Sequence, residues 1–181
     1  MPSLVLTLLG PDRPGLVEAV ATIVSEQNAN WLESRMSHLA GHFAGIVRVE
    51  VKKDDVDLLI KRLEGLEENG LSIVARRDET DEVQDVTVVW MELVGNDRPG
   101  IVSELTRVFA EKQVNVEEFQ TELQGAPNSG AALFRAHAAL RLPADINIDD
   151  LQKSLEEIAV DLMVDITLRN IDHQVHRNFL E

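Results

Sequence analysis

The chain has no cysteine among its 181 residues. Disulfides, thiolate metal centres and a cysteine nucleophile are therefore excluded. It also has no tyrosine and few aromatics of any kind. No apolar run approaches the length that crosses a bilayer as a helix. Met1-Pro2-Ser3 leads directly into a strand pattern, without the basic and apolar regions of a signal peptide, so a cytoplasmic protein is expected. Basic residues are scarce as well: 17 Lys and Arg stand against 32 Asp and Glu, for a formal net charge of −15. Both halves share the deficit. The basic doublets Lys52-Lys53, Lys61-Arg62 and Arg76-Arg77 are each diluted by nearby acids. DNA affinity rests on clustered cations that neutralise phosphates, so direct nucleic-acid binding is disfavoured. No phosphate-binding loop, dinucleotide fingerprint or nucleophile–base constellation is present.

What the chain does have is a repeat. Gly10-Pro11-Asp12-Arg13-Pro14-Gly15-Leu16-Val17 returns as Gly95-Asn96-Asp97-Arg98-Pro99-Gly100-Ile101-Val102. At the same offset Leu4, Leu6 and Leu8 map onto Val89, Met91 and Leu93, one face of a strand. Leu16, Val17, Val20, Ile23 and Val24 map onto Ile101, Val102, Leu105, Val108 and Phe109, one face of a helix. Asn30 falls on Asn115 and Glu33 on Glu118. The constant offset then fails, because the second copy carries an insertion, Gln124 to Gly130, where the first has only the turn around Gly41. With 44% hydrophobic residues, the chain reads as two globular domains of about 90 residues each. Units so small are short of core, and pairing or homo-oligomerisation relieves the shortage.

The first unit reads as strand (Ser3 to Leu9), helix (Pro14 to Gln27), strand (Trp31 to Leu39), strand (His42 to Lys52), helix (Asp54 to Asn69) and strand (Leu71 to Arg76). Asp54-Asp55 suit the positive end of the second helix and Asn69-Gly70 a left-handed stop. The second unit repeats the order: Val86 to Val94, Pro99 to Gln113, Val116 to Leu123, Ala131 to Leu142, Ile148 to Ala159 and Leu162 to Leu168. The expected architecture is α+β, two ferredoxin-like βαββαβ units, each an antiparallel sheet with helices on one face. The domains are 1–77 and 86–169, joined by a charged linker at 78–85 and followed by a polar tail at 170–181.

The repeated turn carries the chemistry. Proline suits the first helical position, so Pro14 and Pro99 are expected to begin their helices. Gly15 and Gly100 leave the first-turn N–H groups open, and the helix dipole favours an anion there. Asp12 and Asp97 can cap the helix or bind an ammonium group. Arg13 and Arg98 can pair with a carboxylate or lie on the surface. A zwitterion matches that set of charges. The same turn is equally a competent helix start that needs no ligand.

A βαββαβ unit whose first turn reads Gly-x-Asp-Arg-Pro-Gly, with Asn30 or Asn115 opening the second strand, resembles the ACT domain, a regulatory module that binds amino acids. Two such units and nothing else, the second interrupted by a Pro-Asn-Ser-Gly loop before Leu133-Phe134, resemble the glycine cleavage system transcriptional repressor family. The resemblance implies a non-enzymatic sensor of a small amino acid such as glycine. It also implies action through a protein partner, a separate DNA-binding activator. It marks Gly10, Pro11, Asp12, Arg13, Pro14 and Gly15, and Gly95, Asn96, Asp97, Arg98, Pro99 and Gly100, as effector-binding turns at interfaces between neighbouring ACT units. The copies differ at Pro11 and Asn96, where only Asn96 offers a side-chain amide, so the second turn is the better candidate. The alternatives are an ACT-type regulator of a metabolic enzyme and an acylphosphatase-like hydrolase. The latter would need an arginine and a strand asparagine; Arg13 in a turn and Asn30 at a strand start fit it poorly.

The remaining polar residues read as structural. His38 and His42 flank a turn, and His173 and His176 stand three apart in the tail. Neither pair reaches the three or four ligands of a zinc site, so no metal or cofactor is expected. Asp149-Asp150 and Glu156-Glu157 read as helix capping and solvation, and Trp31 and Trp90 as core packing.

Overall fold

Leu4, Leu6 and Leu8 alternate with Ser3, Val5, Thr7 and Leu9, and in the structure, a computed structural model, that alternation becomes one buried and one outward face of the first strand. Residues 1–78, 87–125 and 132–170 are described. Most of the expected linker, the loop 126–130 and the tail with His173 and His176 lie outside the described residues, as does Val86. Contacts divide the chain into two units, Met1–Asp81 and Glu82–Glu181.

The first unit runs β1 (Ser3–Pro11), α1 (Leu16–Glu26), β2 (Asn30–Leu39), β3 (His42–Glu50), α2 (Val56–Glu64) and β4 (Ser72–Arg77). Its sheet has the order β2-β3-β1-β4 and is antiparallel throughout. Short 3-10 turns, Lys53–Asp55 and Gly65–Asn69, flank α2 where one continuous helix is expected. Gly70 ends that stretch at φ 78°, the left-handed stop anticipated from Asn69-Gly70. Leu16, Val20, Ile23 and Val24 of α1 and Val56, Leu59 and Leu63 of α2 pack on Leu4, Leu6, Leu8, Val47 and Val49. The opposite sheet face shows Leu9, Ile46 and Val74 to solvent.

The second unit repeats this plan with β5 (Thr87–Asn96), α3 (Ile101–Glu111), β6 (Asn115–Gly125), β7 (Ala132–Leu142), α4 (Ile148–Leu162) and β8 (Val164–Asn170). Its sheet order, β6-β7-β5-β8, is the first sheet's order copied. Even the bulge recurs, between Trp31 and Glu33 in β2 and between Val116 and Glu118 in β6. Val89, Met91 and Leu93 face Ile101, Leu105, Val108 and Phe109, with Leu151 and Leu155 of α4 closing the cluster. Both units are thus α+β with helices on one face of an antiparallel sheet. Among the described residues no helix is long and apolar enough to cross a membrane.

α4 starts with a side-chain cap: Asn147 Oδ1 accepts from the Asp150 N–H at 2.8 Å. Asp149 and Asp150 occupy its first turn, where their charge suits the dipole. Asn147→Ala is expected to cost about 1 kcal/mol, the usual worth of such a cap, read as a lower urea midpoint with an unchanged m-value.

Candidate functional site

Each repeated turn leaves the sheet through a strand longer than its apolar pattern indicates. β1 pairs with β3 as far as Pro11↔His42, and β5 with β7 as far as Asn96↔Leu133. The next N–H extends the anchoring: Asp12 N–H donates to the Gly41 carbonyl at 2.9 Å, and Asp97 N–H to the Ala132 carbonyl at 2.9 Å. The chain then crosses the end of the sheet to the helix.

The helices begin at Leu16 and Ile101, not at Pro14 and Pro99. Gly15 and Gly100 are the N-caps, at φ 90° and 99°, and the prolines precede them. The left-handed glycine reverses the chain between proline and helix, so the proline stiffens the approach rather than opening the first turn. The cap carbonyl is already engaged: Ala19 N–H donates to Gly15 and Glu104 N–H to Gly100, at 3.0 and 2.9 Å. No side chain caps either helix. Capping by Asp12 or Asp97 is therefore corrected: both are exposed, and neither side chain bonds a described residue. The first-turn N–H groups of both helices face the turn without a side-chain acceptor.

The arginines have a role that the sequence reading left open. Arg13 Nη2 donates to the Asn69 carbonyl, and Arg98 Nη1 donates to the Asp161 carbonyl at 3.0 Å. Both acceptors lie where the second helical segment of their unit ends, the negative end of its dipole. Each arginine thus ties the turn to the far end of the other helix, by the same contact in both copies. Gly10 and Gly95 are likewise explained by packing. A Cβ on Gly10 would lie 2.6 Å from the Gly70 carbonyl oxygen, and one on Gly95 would lie 2.4 Å from Val164 Cγ1.

Of the twelve sequence-predicted positions, Pro11 to Gly15 and Asn96 to Gly100 form one exposed corner in each unit, while Gly10 and Gly95 lie under it. The backbone N–H groups and the free Asp12 and Asp97 carboxylates share that corner. The arrangement offers donors to an anion and an acceptor to a cation. Asn30 stands apart, in a shallow groove with Ser25, Asn28 and Trp31 where α1 passes into β2. Trp31 packs against the first core as expected. Trp90 does not pack in the second: it projects from the other sheet face and stacks on His137, with ring centroids 5.8 Å apart. That pair, and Arg135 beside it, escaped the sequence reading, although alternation with Val89 and Met91 already puts Trp90 on the outward side. Among the described residues no group of three or more His, Asp and Glu is arranged to hold a metal ion.

A family model for the ACT domain matches residues 3–76. Over 175 residues the chain is 23% identical to the glycine cleavage system transcriptional repressor of Escherichia coli, an alignment that spans 96% of this chain and 92% of that one. A solved structure of a protein of unknown function from Galdieria sulphuraria is 31% identical, with a TM-score of 0.86 over 94% of this chain and 99% of the other. Another, provisionally assigned as a glycine cleavage system transcriptional repressor, superposes with a TM-score of 0.72 at 21% identity over 95% and 98% of the two chains, a likeness of fold. The family model matches the first unit as an ACT domain, the second unit copies its topology and its turn, and over nearly its whole length the chain is similar to the glycine cleavage system transcriptional repressor.

Proposed function

We propose that this protein senses a small amino acid, with glycine the leading candidate, and passes the signal to a protein partner that controls glycine-cleavage genes. The observation that carries the reading is the twin corner: first-turn N–H groups without a side-chain cap beside a free aspartate, in both units. The effector's carboxylate takes the N–H groups, where the helix dipole favours negative charge. Its ammonium group takes Asp12 or Asp97. The second corner is the stronger site, because Asn96 adds an amide that Pro11 cannot. The formal charge of −15 argues for action through a DNA-binding partner rather than on DNA itself. The protein works in the cytoplasm, as a regulator without catalysis of its own. An effector shifts its state only by binding one arrangement better than another.

A thermal-shift screen of single amino acids tests this. Glycine or another small amino acid is expected to raise the melting temperature; a ligand at a hundred times its Kd adds about 2.7 kcal/mol. Asp97→Ala, which removes a carboxylate that bonds nothing in the described structure, is expected to reduce the shift to what the weaker first corner supplies, without lowering the ligand-free melting temperature. If no amino acid stabilises the protein at millimolar concentration, the sensor reading fails. Co-purification from the native cell separates the partner classes: recovery of a metabolic enzyme alone would replace gene control with enzyme control.

A further inference from the structure

Because the chain is a duplication, each unit serves as a control for the other. The registers align them position by position: Gly10 pairs with Phe43 in one sheet and Gly95 with Phe134 in the other. On the sheet face away from the helices, the first unit carries Leu9, Ile46 and Val74, each more than half exposed. Ile46 and Val74 stand on either side of Thr7, and Leu9 stands beside Ala44, so they form one strip across β3, β1 and β4. At the positions of Thr7, Ala44, Ile46 and Val74 the second unit carries Glu92, Arg135, His137 and Thr167. The fold itself therefore does not require apolar side chains there. A contiguous apolar strip left in water marks a surface that another protein covers.

The strip is complementary to itself. Its residues lie in rows across the sheet: Ser37, Ala44, Leu9 and Ser72 in one, Arg35, Ile46, Thr7 and Val74 in the next, and Glu33, Arg48, Val5 and Arg76 in the third. A two-fold axis parallel to the strands, set between two such faces, keeps each row and reverses its order. Leu9 of one copy then lies over Ala44 of the other and Ile46 over Thr7, large side chain on small in both cases. Arg35 and Arg48 lay their aliphatic stems over Val74 and Val5. Glu33 and Arg76 end the third row on opposite edges, so the Glu33 of each copy meets the Arg76 of the other. Both are available: Arg76 is exposed and has no ion-pair partner among the described residues. Glu33 only approaches Arg48, at 3.7 Å, whose closer partner is Asp78 at 2.6 Å. The three arginines also relieve, on this face, the repulsion that a formal charge of −15 sets between two copies.

We infer that this face of the first unit packs on the same face of a second copy of the chain, sheet on sheet, about a two-fold axis parallel to the strands. Sheets packed in this way lie about 10 Å apart with their strands within about 30° of each other, a gap that side chains from both faces fill. An axis across the strands, through the middle row, would set Arg35 on Arg35 and leave Glu33 and Arg76 over Ser37 and Ser72. The parallel axis pairs opposite charges instead. Such an interface is closed, so it yields a dimer and not a filament. It is separate from the effector corner and stands or falls independently of it.

Sedimentation equilibrium of the full chain over a series of concentrations tests this. A monomer–dimer equilibrium is expected. Ile46→Glu should weaken it about a hundredfold, because the two-fold axis applies a loss of about tenfold twice. The double change Ile46→His, Val74→Thr installs residues with which the second unit already folds, and it should weaken the dimer in the same direction. Both variants should keep the melting temperature of the dissociated wild-type protein, measured by circular dichroism at high dilution. Glu33→Arg alone and Arg76→Glu alone should each weaken the dimer about tenfold. Together they should restore most of the loss, because the axis exchanges the two ends of the row. The proposal is overturned if the chain stays monomeric at every concentration, if the dimer survives Ile46→Glu, or if the double charge reversal associates no better than the single changes. It is equally overturned if the face captures a different protein, bound by the monomeric chain and lost with Ile46→Glu.

Discussion

Phe109→Ala is expected to destabilise the second unit by about 3–5 kcal/mol, the cost of emptying a buried aromatic site. Phe109 is 2% exposed and is the largest fully buried side chain among the described residues. It sits on α3 among Leu105, Val108 and the inward residues of β5. At the matching place α1 carries Val24, equally buried but much smaller. The two cores are therefore not copies: one helix–sheet gap was filled around valine, the other around phenylalanine. Phe109→Val should accordingly remain destabilising, though less than alanine, because the surrounding side chains recover only part of the lost volume. Small domains have about 5–15 kcal/mol in total, so the alanine variant is expected near the limit of folding. Urea unfolding followed by Trp90 emission in the Trp31→Phe background reads the change. An unaltered midpoint would mean that the α3 face is not the second core.

How far the fold was legible follows from which signals are local. Strand alternation in Leu4, Leu6 and Leu8 and helix periodicity in Val56, Leu59 and Leu63 come directly from burial on one face, and both were readable. The exact start of α1 was not. Proline at a first helical position is a good general rule, but here Gly15 takes the left-handed cap and pushes the helix one residue beyond it. Only the conformation of that glycine tells the two apart. The arginine tethers were illegible for another reason: Arg13 meets Asn69, and Arg98 meets Asp161, across most of a unit. Arg135 and His137 were hidden by a sound default, since polar residues on one side of a strand usually face water. Only the register, set against the first unit, shows that the fold does not require polar residues at those positions.

The glycines of the repeated motif should separate into two classes when replaced by alanine. Gly10→Ala and Gly95→Ala are expected to be severe, about 1–3 kcal/mol each by the usual scale of overpacking and at the upper end where backbone blocks relief. Gly10 meets that condition, since its Cβ would press on a carbonyl oxygen at 2.6 Å and on Leu71 at 3.3 Å. Gly95 would press on Val164 and on the Met163 carbonyl oxygen, so β8 must shift before the variant can fold. Gly15 and Gly100 have open space around the missing Cβ. Their cost comes only from the left-handed backbone, roughly 1–2 kcal/mol for an alanine there. Urea midpoints should therefore fall further for the first pair than for the second. The effector response should divide the other way: an alanine at Gly100 projects at the open corner, whereas one at Gly95 projects at β8. If Gly95→Ala, in protein that remains folded, removed effector binding while Gly100→Ala left it intact, the corner would lose its claim to be the site. The ligand would then have to be sought on the sheet.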